Sequence, residues 1–290
     1  MASASKQPVT PKKLPGDKPS WLWPTFRTVV LTFILFMLTF PIVAFFINAF
    51  AFRWFYPQLF PNELSLDAWE SIFNPASGVD LWGSLWTSIF IAVTVTVVSL
   101  IIGMPTARAL GMYKFRGKRF VEFLILAPII VPGIAYTVGL NINFLQLGLA
   151  NSVFGVMLVH LIPVMPYVVL TLSGVFANYN PDFEAQARTL GAGPINTFRL
   201  VTLPAIFPGL VVSGLFAFLV SWSQYILTLL IGGGKVQTIP LLVFTAATSG
   251  NNARAAAISL VFIAPAVLIL ILTSRFLSGR SGAIGGFGKI

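Results

Sequence analysis

Apolar runs long enough to cross a bilayer alternate with polar stretches along this chain. A spanning helix needs about 20 mostly apolar residues. Runs near that length lie at roughly 28–50, 85–104, 123–140, 153–176, 207–231 and 255–277. The second is rich in β-branched residues, which favour strands in water. At this length without turn residues it reads as a membrane helix. The third holds Pro128, Pro132 and Gly133, and the fourth holds His160, Pro163 and Pro166. Prolines are tolerated in membrane helices where neighbours satisfy the freed backbone groups. The pattern predicts an all-α integral membrane protein with six transmembrane helices. No internal or inverted repeat is visible, which argues against a single-chain secondary transporter.

One polar stretch, 178–208, is more ordered in its signals than the others. Asn180 suits an N-cap and Pro181 the first helical position, with Asp182 and Glu184 near the positive end of the dipole. Phe183, Ala187 and Leu190 share a helical face, and Gly191 is a natural stop. A second short helix can begin at Pro194, capped by Gly193, and should weaken by Leu203 because Pro204 disfavours helix there. Helices this short need something to pack on.

Composition sharpens the membrane reading. The 290 residues are 57% hydrophobic and 9% charged, with a mean hydropathy of +0.88. Soluble domains carry about 25% charged residues. The absence of cysteine excludes disulfides, thiolate catalysis and cysteine metal sites. Residues 1–26 lack the apolar core of a signal peptide and read as a disordered basic tail, with Trp21 and Trp23 suited to the membrane interface. Residues 278–290 read as a Gly-rich basic tail, and 27–277 as the six-helix domain.

Charge sets the orientation. Six crossings put both termini on one side. With the termini inside, 15 of the 18 basic residues are cytoplasmic, and only Arg53, Lys235 and Arg254 are outside. The positive-inside rule therefore places both termini and the 178–208 stretch in the cytoplasm. The net charge of +10 is mostly topology and not a nucleic-acid footprint.

Catalytic chemistry is missing. There is no P-loop, and Gly232-Gly233-Gly234-Lys235 lacks the following Ser/Thr. No metal-binding motif, paired acids or nucleophile–base set appears in a plausible location. The expectation is a non-catalytic subunit with no metal and no bound cofactor. No acid lies in the middle of an apolar run, which argues against ion-coupled transport. His160 is the only histidine. A helix-packing hydrogen bond is the plainer reading for it, and a functional site the sharper one. Ser221, Ser223, Gln224 and Tyr225 cluster in the fifth run, either as helix–helix hydrogen bonds or as a solute-contacting cavity wall. Asn141, Asn143 and Gln146 read as a solvated link near the outer mouth, with a role in the translocation pathway as the alternative.

The 178–208 stretch resembles the "EAA" loop of permease subunits of type I ABC importers, specifically polyamine- and sulfate-type permeases. Gly191-Ala192 and Val201-Thr202-Leu203-Pro204 fall at that family's spacing. The family's usual glutamate position is Ala185 here, and the acid, Glu184, stands one residue earlier. Tyr113 to Lys118, Ala127-Pro128, Val131-Pro132, and Pro240-Leu241 in a loop ahead of the last span, extend the likeness, which covers roughly 85–277. The resemblance implies a bacterial inner-membrane, multi-pass subunit with its core at 85–277 and its loop at 178–206. It implies a second permease chain, homologous or identical, two cytosolic ATPases that carry ATP and Mg, and an extracytoplasmic solute-binding protein. Membrane lipid surrounds the chain. The coupling residues it implies are Asp182, Glu184, Ala185, Ala187, Arg188, Leu190, Gly191, Ala192, Arg199, Leu203 and Pro204. The loop 232–240 would face the binding protein. ATP would close the ATPases, draw the coupling helices together and turn the cavity outward; hydrolysis would reset it. Polyamine members tend to carry acids where this chain has Ser223-Gln224, so a sugar, an organic anion or another small polar solute fits at least as well. The competing reading is a self-sufficient channel or carrier.

Overall fold

The computed structural model describes residues 22–52, 54, 57, 58 and 60–277. The expected tails over 1–21 and 278–290, and Arg53, lie outside the described residues. The chain divides into two units, Met1–Ile47 and Asn48–Ile290. The first is described by one helix, α1 (Leu22–Asn48), apolar on all sides and bearing Pro41. It begins inside the segment expected to be tail, and Trp23 belongs to it.

The second unit is helical. In chain order it holds α2 (Asp67–Phe73), a 3₁₀ turn, α3 (Leu81–Met112), α4 (Lys118–Ile130), α5 (Gly133–Gln146) and α6 (Val153–Ala177). Then come α7 (Asp182–Thr189), α8 (Pro194–Thr197), a π-helical turn (Phe198–Thr202), α9 (Leu203–Trp222), α10 (Ile226–Gly232), α11 (Ile239–Thr248) and α12 (Asn252–Leu277). Among the described residues five helices are long and apolar enough to cross a membrane, or six if the bent pair α4–α5 counts as one span.

The core is built on α3, α6 and α9. The buried positions of α3 are mostly small: Ser84, Ser88, Ala92, Ser99, Gly103 and Ala107. Their spacing of about four residues is the membrane-helix device that lets backbones approach closely. Ile91, Val95, Val168, Leu172, Phe176 and Ile206 fill the space between. A Cβ on Gly111 would sit 2.7 Å from the Ser173 carbonyl oxygen and from Phe176 Cβ. A second cluster joins α2, α11 and α12 through Ile72, Ile239, Leu242, Ala256 and Ile258.

Five expectations change at the level of elements. The third run is not a straight span: α4 and α5 meet at a bend of 100°. Pro132 cannot donate a backbone bond and pushes Val131 to extended geometry, observed at φ −81, ψ 129. The fifth span does not start afresh after Pro204. Residues Pro194–Trp222 run as one helical span. The Leu203 amide reaches back to the Phe198 carbonyl, a π turn that makes room for the proline ring. That span instead breaks at Ser223–Tyr225, inside the expected apolar run. Finally, Asn141, Asn143 and Gln146 sit on α5 rather than in a link, and Pro240-Leu241 opens α11 rather than lying in a loop.

Gly111→Ala should therefore destabilise the chain by about 1–3 kcal/mol, because the added methyl meets backbone rather than a yielding side chain. Gly139→Ala, with nothing within 4 Å of its Cβ position, should not. Unfolding midpoints of the two purified variants check this; equal midpoints would contradict the α3–α6 packing.

Candidate functional site

Two regions concentrate the polar groups: the α7–α8 segment at one end of the bundle, and a cavity beside the helix breaks.

The α7–α8 segment forms as its sequence dictates. Asn180 Oδ1 accepts the Asp182 amide at 2.9 Å. At the other end Gly191 adopts φ +85, which a residue with a Cβ adopts only under strain. Its amide bonds the Arg188 carbonyl at 3.0 Å, and the Ala192 amide bonds the Ala187 carbonyl at 3.0 Å. That pair is a Schellman stop. Gly193 precedes Pro194 at the start of α8.

The apolar face of α7 is not the one it buries. Leu190 is 88% exposed and Phe183 is also exposed, while Glu184 is buried. Leu190 is the C-cap, so it leaves the helical register of Phe183 and Ala187. Glu184 turns inward because its partners are there. Arg108, near the end of α3, donates from Nη2 to Glu184 Oε2 at 2.8 Å. Thr202, in the π turn, donates from Oγ1 to Oε1 at 2.8 Å. Arg188 approaches the same carboxylate at 3.6 Å. Tyr179 lies beside this group, its buried hydroxyl next to Thr202 and Glu184. The carboxylate thus clamps α7 to the ends of α3 and α9.

Burial alone would raise the Glu184 pKa. The Thr202 hydroxyl, then Arg108 and Arg188, outweigh it and hold the carboxyl below its ordinary value. The resemblance implies a coupling role for Glu184; its carboxylate turns inward, and Arg108, Tyr179 and Thr202 were missed as its neighbours. The outward surface is formed by Asp182, Ala185, Arg188, Leu190, Gly191, Arg199 and Pro204, with Ala187, Ala192 and Leu203 half-buried. Ile195 and Leu200, also missed, are 72% and 74% exposed.

The second region is a cavity of about 560 Å³ at the α4–α5 bend and the α9–α10 break. Pro128 to Ile134 and Tyr136 line one side, Pro163 and Tyr167 of α6 contribute, and Val220 and Ser223 to Leu227 complete it. Among the described residues no Asp, Glu, Lys, Arg or His lines it. The Tyr225 ring stacks on Phe244 of α11 at 5.1 Å. Of the expected pathway residues, Ser223, Gln224 and Tyr225 are brought together here. Ser221 is buried instead against His160, and Asn141 and Asn143 lie farther along α5, outside the lining; Asn143 bonds the Gly139 carbonyl.

His160 is a packing histidine of an unusual kind. Its two ring nitrogens lie 3.0 Å from Ser221 Oγ and 3.0 Å from Thr228 Oγ1. These partners stand on either side of the α9–α10 break.

Comparison with known proteins agrees with this architecture. Residues 99–278 match the family described as binding-protein-dependent transport system inner membrane component. The diacetylchitobiose uptake system permease protein DasC of Streptomyces coelicolor is 29% identical over 276 residues, 91% of this chain and 97% of that one. The molybdenum transport system permease protein ModB of Mycobacterium tuberculosis is 31% identical over 218 residues, 70% and 81% of the two chains. A solved bacterial ABC transporter for the acidic polysaccharide alginate shares the fold. Its TM-score is 0.69 at 21% identity, covering 92% of this chain and 99% of that one.

The clamp yields a testable pH window. A carboxyl held low in the folded protein contributes stability above the ordinary value near ~4.3 and loses it as pH falls through the lowered value. Amide exchange in α7, corrected for its intrinsic rate, should be flat from neutral pH down to about pH 5. Glu184→Gln should raise it throughout. A double-mutant cycle of Glu184→Gln with Arg108→Met should give a coupling of about 1–2 kcal/mol; a coupling near zero would contradict the clamp.

Proposed function

We propose, from the premise that this chain belongs to the family of binding-protein-dependent transport system inner membrane components, that α7 and α8 are the element through which a separate cytosolic ATPase drives it. The chain is a multi-pass permease of an ABC importer, and that membership replaces the reading of a self-sufficient channel or carrier. The observation that carries the coupling role is the clamped, capped pair that presents Leu190, Ile195 and Leu200 outward. Exposed leucine and isoleucine on a segment with little apolar core of its own favour a protein partner over water. Glu184 then transmits force instead of making the docking contact: it ties α7 to α3 and α9, so a push on the loop reaches both spans.

Orientation follows from charge. We take α4–α5 as one broken crossing and both termini as cytoplasmic. If α4–α5 were re-entrant, Arg188, Arg199, Arg275, Arg280 and Lys289 would move outside, against the positive-inside rule. In the proposed assembly a second permease chain completes the pathway, the paired ATPases bind ATP and Mg, and a solute-binding protein delivers cargo on the far side. The cavity beside the two breaks is this chain's part of the pathway. Its lining supports a neutral polar solute, since Tyr136, Tyr167, Ser223, Gln224 and Tyr225 offer hydroxyl, amide and aromatic contacts with no fixed charge. The relatives carry cargo of different chemistry, so the lining and not kinship supports this choice.

Leu190→Arg should leave membrane insertion intact and weaken ATPase association by roughly ten- to a hundredfold, the loss expected for one buried leucine. Gly191→Val should weaken it too, through the left-handed backbone at that position, whereas Gly191→Asn, which tolerates that conformation, should be nearly native. Co-purification of the ATPase with each variant measures this, and native recovery with both Leu190→Arg and Gly191→Val would sink the coupling assignment.

A further inference from the structure

The α9–α10 break has no local cause. Ser223, Gln224 and Tyr225 include neither glycine nor proline, and the residues on either side, Trp222 and Ile226, are apolar. Something outside the segment must hold it open, and His160 of α6 is placed to do so.

The proton count around His160 has one complete solution. The Thr228 hydroxyl carries one proton, and two acceptors are within reach: His160 Nε2 at 3.0 Å and the Gln224 carbonyl at 3.2 Å. The Ser221 hydroxyl bonds only His160 Nδ1, at 3.0 Å. If His160 carries its proton on Nε2, every group is used. Ser221 donates to Nδ1, Nε2–H donates to Thr228, and Thr228 donates to the Gln224 carbonyl. With the proton on Nδ1, Thr228 must donate to Nε2; the Ser221 proton is then stranded and the Gln224 carbonyl loses its partner. An imidazolium also strands the Ser221 proton, and no carboxylate bonds the ring. The site is buried, with His160 1% exposed, so a stranded donor there is costly.

We propose that His160, as the neutral Nε2–H tautomer, is a positioning residue for the cavity. It links the last turn of α9 through Ser221 to the first turn of α10 through Thr228, and Thr228 fixes the Gln224 carbonyl within the break. The Gln224 side chain lines the cavity and makes no hydrogen bond among the described residues, so the relay sets where a solute-facing amide is presented. The role in transport rests on the cavity being part of the pathway; the tautomer and the break geometry do not.

The test uses the assembled importer in lipid nanodiscs, carrying this chain with ¹⁵N-labelled histidine and a purification tag free of histidine. His160 is the sole histidine, so its two nitrogens give an unambiguous spectrum. The expected spectrum shows a bare Nδ1 and a protonated Nε2. Thr228→Val keeps the side-chain shape and removes the relay. It should shift the tautomer balance and raise amide exchange across 223–227 by roughly five- to tenfold, the effect of one hydrogen bond, with exchange in α7 unchanged. An Nδ1–H spectrum in the native chain, or native exchange in Thr228→Val, would overturn the relay. Break amides that do not exchange at all in the native importer would mean a dry cavity. With the expected tautomer, that result overturns the role in transport and leaves His160 a structural brace.

Discussion

A backbone amide or carbonyl without a partner costs several kcal/mol in hydrocarbon. The departures from regular helix in this chain are arranged around that cost. Each has a local remedy or sits beside a polar space. The π turn at Phe198–Thr202 answers Pro204 inside a continuous helix. The α4–α5 bend and the α9–α10 break are more drastic, and both open onto one cavity. Irregular backbone at membrane depth is tolerated where it is buried in protein or lines water. The two breaks converge on one cavity, whose described lining is aliphatic and aromatic with a few hydroxyl and amide groups.

A second arrangement connects that cavity to the end of the bundle. Glu184 holds α7 against Arg108 of α3 and Thr202 of the turn that leads into α9. The helix held this way continues to Trp222, whose ring stacks on Phe218 and on Phe262 of α12. Beyond Trp222 lies the break that His160 spans. The α7–α8 segment and the cavity wall therefore lie at opposite ends of the span that holds α9.

The sequence made the apolar runs and the α7–α8 caps legible, because both are local signals: hydropathy over ~20 residues, and Asn180, Gly191 and Gly193 at helix ends. Pro132 showed a weak point in the third run but not a bend of 100°. The α9–α10 break was invisible, since no breaker residue stands there and its holder is distant; Ser221 and Thr228 lie 61 and 68 positions from His160. The same limit hid the partners of Glu184: periodicity on α7 places Phe183, Ala187 and Leu190 on one face, whereas Arg108, which draws Glu184 inward, is 76 positions away. The ten-residue helix α11 was hidden because it is too short to register as a span and too apolar to look like a loop.

The α9–α10 break, although it lies within an apolar run, is expected to face a water-filled passage. The chain has no cysteine, so single-cysteine labelling reports one position at a time. In membranes, Gln224→Cys should react with a water-soluble maleimide, while Phe216→Cys, an exposed apolar position on α9, should not. Equal resistance of both positions, in the resting and the ATP-bound importer alike, would contradict the account.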